Sequence, residues 1–474
     1  DTEARKEEAR RRLAFDEFLI LQLALRSTRD TPDKPPGIKL HPYPGIVEAF
    51  IASLPFTLTG GQQGAIEDAM AEVSIAKRPM NRLLQGDVGS GKTVVGLAMM
   101  LAAVAEGYQG ALMAPTEVLA EQHFFNVRRL LAGVEHPIAN SDWFSFHLDG
   151  RTQPITIALL TGSTRAAPRR EIQRMVGDGV LDILVGTHAL IQHDVDLPNL
   201  ALAIIDEQHR FGVLQRAALR SKGADPHVLL MSATPIPRTL ELTLYGELDI
   251  STMPELPTGR KEILTRIVAP SRSQGAEQFL VDQVSQGHQC FVVCPLIDES
   301  EAVLARAATA EFERLSSTSL AEIRVGLLHG RMSLADKQEV MDRFRVGELD
   351  VLVATPVIEV GIDVPNATVM MIQGADRFGL AQLHQLRGRV GRGPHQSYCF
   401  LLSDTLSEDA QKRLDVLVNT NDGFEIAEAD LRFRGSGDLF GTRQSGYPSL
   451  RMASYEIDRD LLEKARDQAS SLLD

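Results

Sequence analysis

Three cysteines in 474 residues are too few, and odd in number, for a disulfide framework. Their scarcity suits a reducing, cytoplasmic compartment. Cys290 and Cys294 flank the apolar run Phe291 to Val293, which is expected of a buried strand rather than half a metal site. A long hydrophobic run is missing as well. The longest, Val94 to Ala105, falls well short of the ~20 residues that span a bilayer, and the charged start, Asp1 to Arg12, is no signal peptide, so no membrane partner is expected. Basic residues are in the minority: 49 Lys and Arg against 63 Asp and Glu give a net charge of −14. That balance excludes a globally basic, histone-like binder, and any contact with nucleic acid must use a local basic surface. What is present, 44% hydrophobic and 24% charged residues with 37 Gly and 23 Pro, is the profile of a globular protein. At roughly 150 residues per domain the length implies about two to four domains. The first residue is Asp1 rather than Met, as expected of a piece of a longer polypeptide.

Residues 4 to 26 lack Gly and Pro and read as a charged helix, and TPDKPPGIKLHPYPG, residues 31 to 45, reads as a linker, so the packed region is expected to begin near Leu54. Beyond it, short apolar runs alternate with longer helical stretches: NRLLQG at 81, GALMAP at 110, ITIALLTG at 155, LDILVGTH at 181, LALAIIDE at 200 and HVLLMSA at 227. A second series follows, with KEILTRIVA at 261, QCFVVCPL at 289, IRVGLLHG at 323, LDVLVATP at 349, ATVMMIQG at 367 and SYCFLL at 397. Continuous apolar strands separated by helices predict parallel sheets covered on both faces, here two α/β domains in tandem. The expected division is a helical and Pro-rich segment over 1–55, a first domain over 56–256, a second over 257–405 and a helical C-terminal segment over 406–474. Ligands of such sheets bind at the carboxyl ends of strands, where nearly every unusual motif of this chain falls.

Gly86-Asp87-Val88-Gly89-Ser90-Gly91-Lys92-Thr93 fits G-x4-G-K-[ST] between a strand and a helix. In such a loop Gly86, Gly89 and Gly91 let backbone N–H groups close around phosphate oxygens, Lys92 supplies charge to the β and γ phosphates, and the Thr93 hydroxyl ligates Mg2+. Asp206 and Glu207 follow the strand ALAII. An acidic pair there is more often a solvated helix cap, but beside a phosphate loop it suits a metal-holding acid and a carboxylate that orients the attacking water. Residues 377 to 400 hold Arg377, Arg387, Arg389 and Arg392 and no acid. Arg389 and Arg392, three apart on a helix, would share one face and could reach a γ-phosphate across a cleft; a basic surface face is the plainer alternative.

Taken in order, GDVGSGKT at 86, APTEVLAEQ at 114, LLTGS at 159, VGTHALI at 185, DEQH at 206, SATPIPRTL at 232, LLHGRM at 327, VATPVIEVGIDVPNA at 353 and QLHQLRGRVGRG at 382 resemble the motifs of superfamily 2 helicases. DEQHRFGVLQR at 206 and ADLRFRGSGDLFGTRQSG at 429 are similar to those of the RecG family of branched-DNA helicases. The resemblance implies two tandem RecA-like domains, ATP and Mg2+ as cofactors, and branched or duplex DNA as partner of a monomeric motor. It implies Lys92, Thr93, Asp206 and Glu207 for phosphate, metal and water, Arg389 and Arg392 as arginine fingers, and Gln385 as nucleotide sensor. Phe56 and Gln62 resemble an adenine-recognition segment, where a glutamine amide reads the base edge. Ser232 and Thr234 would couple hydrolysis to domain motion. DNA-backbone contacts would come from Thr116, Gly162, Thr187 and His188 in the first domain and from Arg331 and Thr355 in the second, with Arg434, Arg443 and Gln444 in a lever that moves duplex DNA. For Thr116, Thr187 and Thr355 helix capping is an equal alternative, and His209 reads as coupler or as packed histidine.

Two departures from the family stand out. Pro356 replaces an expected Thr, which removes a hydroxyl and an N–H donor, and the family's N-terminal wedge domain is missing from the sequence. Weak, strongly salt-dependent DNA binding is therefore expected of this piece. Competing readings are a transcription-repair coupling factor motor, an RNA helicase, and a nucleotide-dependent binding switch that is not a motor.

Overall fold

The computed structural model of the chain describes residues 2–29, 36–41, 44–131, 138–139, 142–148, 153–191, 195–206, 222, 225–232, 248–255, 261–294, 301–356, 364–403, 407–434, 451–454 and 458–473. The chain divides into two units. Unit 1 comprises Asp1–Gly86, Ser90–Glu255 and Arg434–Asp474, and unit 2 comprises Asp87–Gly89 and Leu256–Phe433. The stretch expected as one C-terminal segment, 406–474, is thus shared between them.

In unit 1 the described strands are β1 (Asn81–Gly86), β2 (Gln109–Met113), β3 (Ile138–Ala139), β4 (Trp143–Phe146), β5 (Ile155–Leu160), β6 (Ile183–Gly186), β7 (Leu200–Asp206), β8 (His227–Ser232) and β9 (Asp249–Met253). They form one sheet in the order β3-β4-β5-β6-β2-β7-β8-β1-β9. All neighbours are parallel except β3 with β4 and β4 with β5. The reason is visible in single strands. Leu84, Leu202 and Ile204 join the core on one face, while Leu83, Ala203 and Ile205 join the core on the other. Successive side chains point to opposite faces, so an apolar residue at every position demands cover on both sides.

Helix α1 (Thr2–Arg29) precedes this sheet, and α2 (Pro44–Ser53), α3 (Gly60–Ile75), α4 (Lys92–Ala105), α5 (Glu117–Leu130) and α6 (Ala166–Gly177) follow in chain order. Helix α4 is apolar and buried all round from Val94 to Val104, because α2 and α3 pack on the side that the sheet leaves open. This corrects the expected start of the packed region. Leu40, Ile46, Val47 and Phe50, all upstream of Leu54, belong to the main core. Even the Pro-rich stretch is tied down: Gly37 and Leu40 donate their N–H groups to Ala76 O and Val73 O. His227 on β8 accepts the Met80 N–H at 2.8 Å through Nδ1 and donates Nε2–H to Ile38 O at 2.6 Å. Burial pushes this histidine below its usual pKa, consistent with a neutral ring that needs one lone pair and one proton.

Unit 2 is built on β10 (Leu264–Val268), β11 (Gln289–Val293), β12 (Val325–Leu328), β13 (Val351–Ala354), β14 (Ala367–Ile372) and β15 (Tyr398–Leu402), in the order β10-β15-β14-β11-β13-β12. Every pairing is parallel. Its described helices are α7 (Ser273–Ser285), α8 (Glu301–Ser317), α9 (Leu334–Arg345), α10 (Leu380–Arg387), α11 (Glu408–Asn419) and α12 (Gly423–Arg434). Cys290 and Cys294 are buried with Val292 in its core, and burial pushes the Cys294 and Cys399 thiols up to about 12. Thiols so held are inert apolar side chains. Among the described residues there is no cluster of His, Cys, Asp and Glu that could hold a metal, and no helix long and apolar enough to cross a membrane.

The last helix, α13 (Arg459–Leu473), belongs to unit 1 and packs on α1. Ala14 and Phe18 meet Leu461, Leu462 and Ala465, and polar contacts fix the register. Arg10 donates to both oxygens of the buried Asp458 at 2.7 and 2.8 Å, and Ser454 N–H completes that carboxylate at 3.0 Å. Glu17 accepts the backbone N–H groups of Arg451, Met452 and Ala453. Burial opposes the Glu17 charge, yet these three donors hold its carboxyl below the usual range. The Arg10 guanidinium does the same for Asp458. We predict that Asp458→Ala weakens docking of α13 on α1 by about 1–3 kcal/mol, since it leaves the Ser454 N–H without its acceptor and removes the link from Arg10 to α13. Because the folded Asp458 pKa lies below its unfolded value, the contribution is complete above pH ~4 and is lost as pH falls through the depressed folded value. Hydrogen exchange in α13, followed at neutral and acid pH in both proteins, measures it.

Candidate functional site

Strands β7, β8 and β1 are adjacent and parallel, so Asp206, Ser232 and Gly86 finish side by side, with Asp206 paired to Met231 and Gln85 to Ser232. Parallel strands bring their carboxyl ends to one edge, and three of the expected site residues meet there. The loop after β1 needs its glycines. Gly89 and Gly91 have φ of 81° and 83°. A Cβ on Gly91 would lie 2.3 Å from Gln62 Nε2, and one on Gly86 would lie 2.6 Å from Ser90 Oγ. The loop feeds α4, whose N-terminus has no side-chain cap. A helix N-terminus without a side-chain cap presents its N–H groups and its positive dipole end, which is suited to phosphate. Lys92 is buried, with Nζ donating to Gly86 O at 2.8 Å.

Gln62 departs from its expected role. Its Oε1 accepts the Thr59 N–H at 2.9 Å while Thr59 Oγ1 accepts the Gln62 N–H, which is a capping box at the start of α3. Its Nε2 donates to Ser90 O at 2.8 Å. The side chain therefore braces the phosphate loop, and one amide hydrogen and one oxygen lone pair are left for a base edge. Phe56 is largely exposed.

Asp206 has a partner absent from the sequence expectations. His123 on α5 places Nε2 2.7 Å from Asp206 Oδ2 and Nδ1 3.5 Å from Thr93 Oγ1. Its neighbours Ala120, Phe124 and Val127 form the buried stripe of α5, so one polar residue at core spacing was the signal available in the sequence. Glu207, His209, Thr234, Arg443 and Gln444, the glycines at 435, 437 and 441, and the Arg434 side chain lie outside the described residues.

The residues expected to face DNA divide by exposure. Thr116 caps α5, its hydroxyl accepting the Leu119 N–H at 3.3 Å. The next residue, Glu117, accepts the Ser163 N–H at 3.0 Å and so holds the loop that carries Gly162. A Cβ on Gly162 would fall 2.8 Å from that carboxylate oxygen. His188 and Arg331 are exposed. Thr187, Ser232 and Thr355 are buried; the Thr187 hydroxyl accepts the Ala189 N–H at 3.5 Å, which makes it a cap in this arrangement.

In unit 2 the arginine reading is corrected. Helix α10 ends at Arg387, so Arg389 and Arg392 lie beyond it and do not share a helical face. Gln385 and Arg389 are buried, and Arg392 Nε donates to Gly388 O. Arg387 is no part of a surface patch. It is buried, and burial pushes its pKa down. It donates to Leu417 O at 2.8 Å, Thr420 O at 3.0 Å and His384 Nδ1 at 2.9 Å. The first two are carbonyls at the C-terminus of α11, where a cation is favoured. At the other end of α10, Asp430 on α12 accepts the Leu380 N–H at 3.2 Å. Helix α10 is thereby held at both ends by the α11–α12 pair.

Comparison with known proteins agrees with this geometry. A family profile described as DEAD/DEAH box helicase matches residues 59–243, one described as helicase conserved C-terminal domain matches 274–394, and one described as ATP-dependent DNA helicase RecG, domain 3, C-terminal, matches 420–474. The ATP-dependent DNA helicase RecG of Synechocystis sp. is 47% identical over 466 residues, which is 98% of this chain and 54% of that protein. The protein of the same name from Bacillus subtilis is 45% identical over 466 residues, with 98% and 65% covered. A solved structure of RecG bound to a three-way DNA junction is 42% identical with a TM-score of 0.74, and covers 96% of this chain and 57% of that one. The chain thus spans between about half and two thirds of the length of these relatives.

We predict that Arg387→Ala, which strands the Leu417 and Thr420 carbonyls, loosens α11 and α12 by about 2–3 kcal/mol, and that Arg387→Lys fails to restore them because an ammonium lacks the planar fork. Hydrogen exchange should accelerate over 408–434 in both variants and stay unchanged in β1 and β2.

Proposed function

Since the chain belongs to the RecG family of superfamily 2 helicases, we propose that it is the motor of an ATP-dependent branched-DNA helicase, which hydrolyses ATP to move on duplex DNA. The observation that carries the reading is that the glycine-shaped phosphate loop and Asp206 follow the carboxyl ends of β1 and β7, which flank β8 in the sheet of unit 1. The relatives' printed activity and the junction in the solved relative support DNA as the polymer.

In this reading the N–H groups of residues 89 to 93 and the Lys92 ammonium hold the β and γ phosphates of ATP. The Thr93 hydroxyl and Asp206 would hold Mg2+, which screens the phosphate charge when bound. Glu207 orients the attacking water. Water oxygen bonds to the γ-phosphorus as the bond to the bridging β–γ oxygen breaks, and ADP and phosphate leave. Arg389 and Arg392 supply positive charge to that transition state, Gln385 senses the nucleotide, and Phe56 stacks at the base with Gln62 bracing the loop. Ser232 and Thr234 pass the change on. Thr116, Gly162, His188 and Arg331 face the DNA backbone, with Thr187 and Thr355 supporting the loops that carry such contacts. Arg434, Arg443 and Gln444 act on the duplex. The motor works as a monomer in the cytoplasm.

The test is ATP hydrolysis with forked DNA, linear duplex, single-stranded DNA and RNA at stated salt. Stimulation is expected to be greatest with branched or duplex DNA and to fall linearly in a log–log plot against salt. Lys92→Ala should lower the stimulated rate about 100-fold or more. Stimulation by RNA alone, or an unchanged rate in Lys92→Ala, overturns the reading.

A further inference from the structure

His123 touches two side chains for which the proposed function has a use, and nothing in that function assigns it one. It is buried among Ala120, Phe124 and Val127 on the inner face of α5, where an apolar residue would pack more simply. A buried imidazole is costly unless both ring nitrogens are satisfied. Both are: Nε2 lies 2.7 Å from Asp206 Oδ2 and Nδ1 lies 3.5 Å from Thr93 Oγ1.

The chemistry of the three groups assigns the protons. A carboxylate only accepts, so Nε2 carries the hydrogen that faces Asp206. Nδ1 then offers a lone pair, and the Thr93 hydroxyl donates to it. A hydroxyl that gives its hydrogen to a ring nitrogen turns its own lone pairs the other way. The bond to Nε2 likewise fixes the plane in which the Asp206 carboxylate lies. We infer that His123 is a positioning residue that orients Thr93 and Asp206 together for a divalent cation bound with the nucleotide. This inference rests on the ATP reading of the site and deepens it, by naming the side chain that joins the phosphate loop to the end of β7 before metal arrives.

A residue that only fills space and a residue that orients oxygens differ in what their loss disturbs. Removing a hydrogen-bond partner of metal ligands typically costs 10–100-fold in metal affinity. Filling space has no such selectivity: its loss lowers thermal stability and metal-free nucleotide binding together. His123→Gln retains a donor and an acceptor on one amide and should restore most of the metal affinity, whereas His123→Leu keeps the volume without either.

The experiment uses the full chain and Mn2+, which is paramagnetic, as the probe. Free Mn2+ is followed by electron paramagnetic resonance during titration in the presence of saturating ADP, and a fluorescent ADP is titrated separately without metal. His123→Leu and His123→Ala are expected to weaken Mn2+ binding at least tenfold while leaving metal-free ADP affinity within about twofold. His123→Gln should recover most of the loss. Unchanged Mn2+ affinity in both Leu and Ala variants, or equal loss of metal-free ADP binding, overturns the inference and leaves the ATP reading standing. If Ala fails to fold, the volume-keeping Leu and Gln pair decides alone. Wild-type protein that binds no ADP with or without metal overturns the ATP reading instead, and the inference falls with it.

Discussion

A strand buried on both faces admits few polar side chains along its length, and this constraint places the chemistry of both units. Leu83 and Leu84, or Ala203 and Ile204, point to opposite sides of the sheet and meet a core on each. Functional groups are therefore pushed to the strand ends, and parallel pairing gathers those ends on one edge. Asp206, Ser232 and the loop that begins at Gly86 are neighbours for that reason. The polar residues that do enter the interior come with partners. His227 uses both nitrogens to tie the start of β1 and the Pro-rich stretch to the sheet, and Arg387 is buried only because it has carbonyls to hold.

The same constraint explains how much could be read in advance. All twelve apolar runs named from the sequence contain strands, whose common mark is a run of Val, Ile and Leu, although β10 and β12 at the edges of their sheet are only partly buried. The strands that escaped are those that do not obey it. Strand β9, Asp249–Met253, lies at the sheet edge and buries only Ser251 and Met253, and β3 and β4 form an antiparallel extension whose first member has two residues. Helix α2 was lost for a different reason. Prolines from 32 to 44 masked a short apolar helix, PGIVEAFIAS, that closes the exposed side of α4.

The backbone of the loop after β1 was legible at Gly89 and Gly91, where φ of 81° and 83° lies in the region that glycine favours. Side-chain partnerships were not. Charge in a sequence carries no sign of burial, so Arg387 read as one of four arginines on a basic surface although its guanidinium is among the most buried groups in unit 2. Gln62 read as a base reader although its amide is divided between a helix cap and the loop. His123 was readable in one respect only, as the polar exception at positions 120, 123, 124 and 127 of an otherwise apolar stripe.

Within unit 2, the grip on α10 has a mechanical meaning that follows from hydrogen-bond accounting. Gln385, Arg389 and Arg392 flank Arg387 in the chain, so any displacement of that stretch pulls on the Arg387 guanidinium. Moving it alone would uncover the carbonyls of Leu417 and Thr420, and shifting the start of α10 would break the Leu380 to Asp430 bond. Leaving several buried partners of a charged group unmet costs several kcal/mol, a cost avoided when the three helices move together. The cheaper motion carries α11 and α12 along with α10. Residue 434, where α12 ends, begins the stretch in which the resemblance places the duplex-moving residues, so the described hairpin is a stiff connection between the arginine segment and that stretch. The buried arginine and the capping aspartate act there together with the buried Leu414, Leu417, Ile426 and Leu431 of the same two helices.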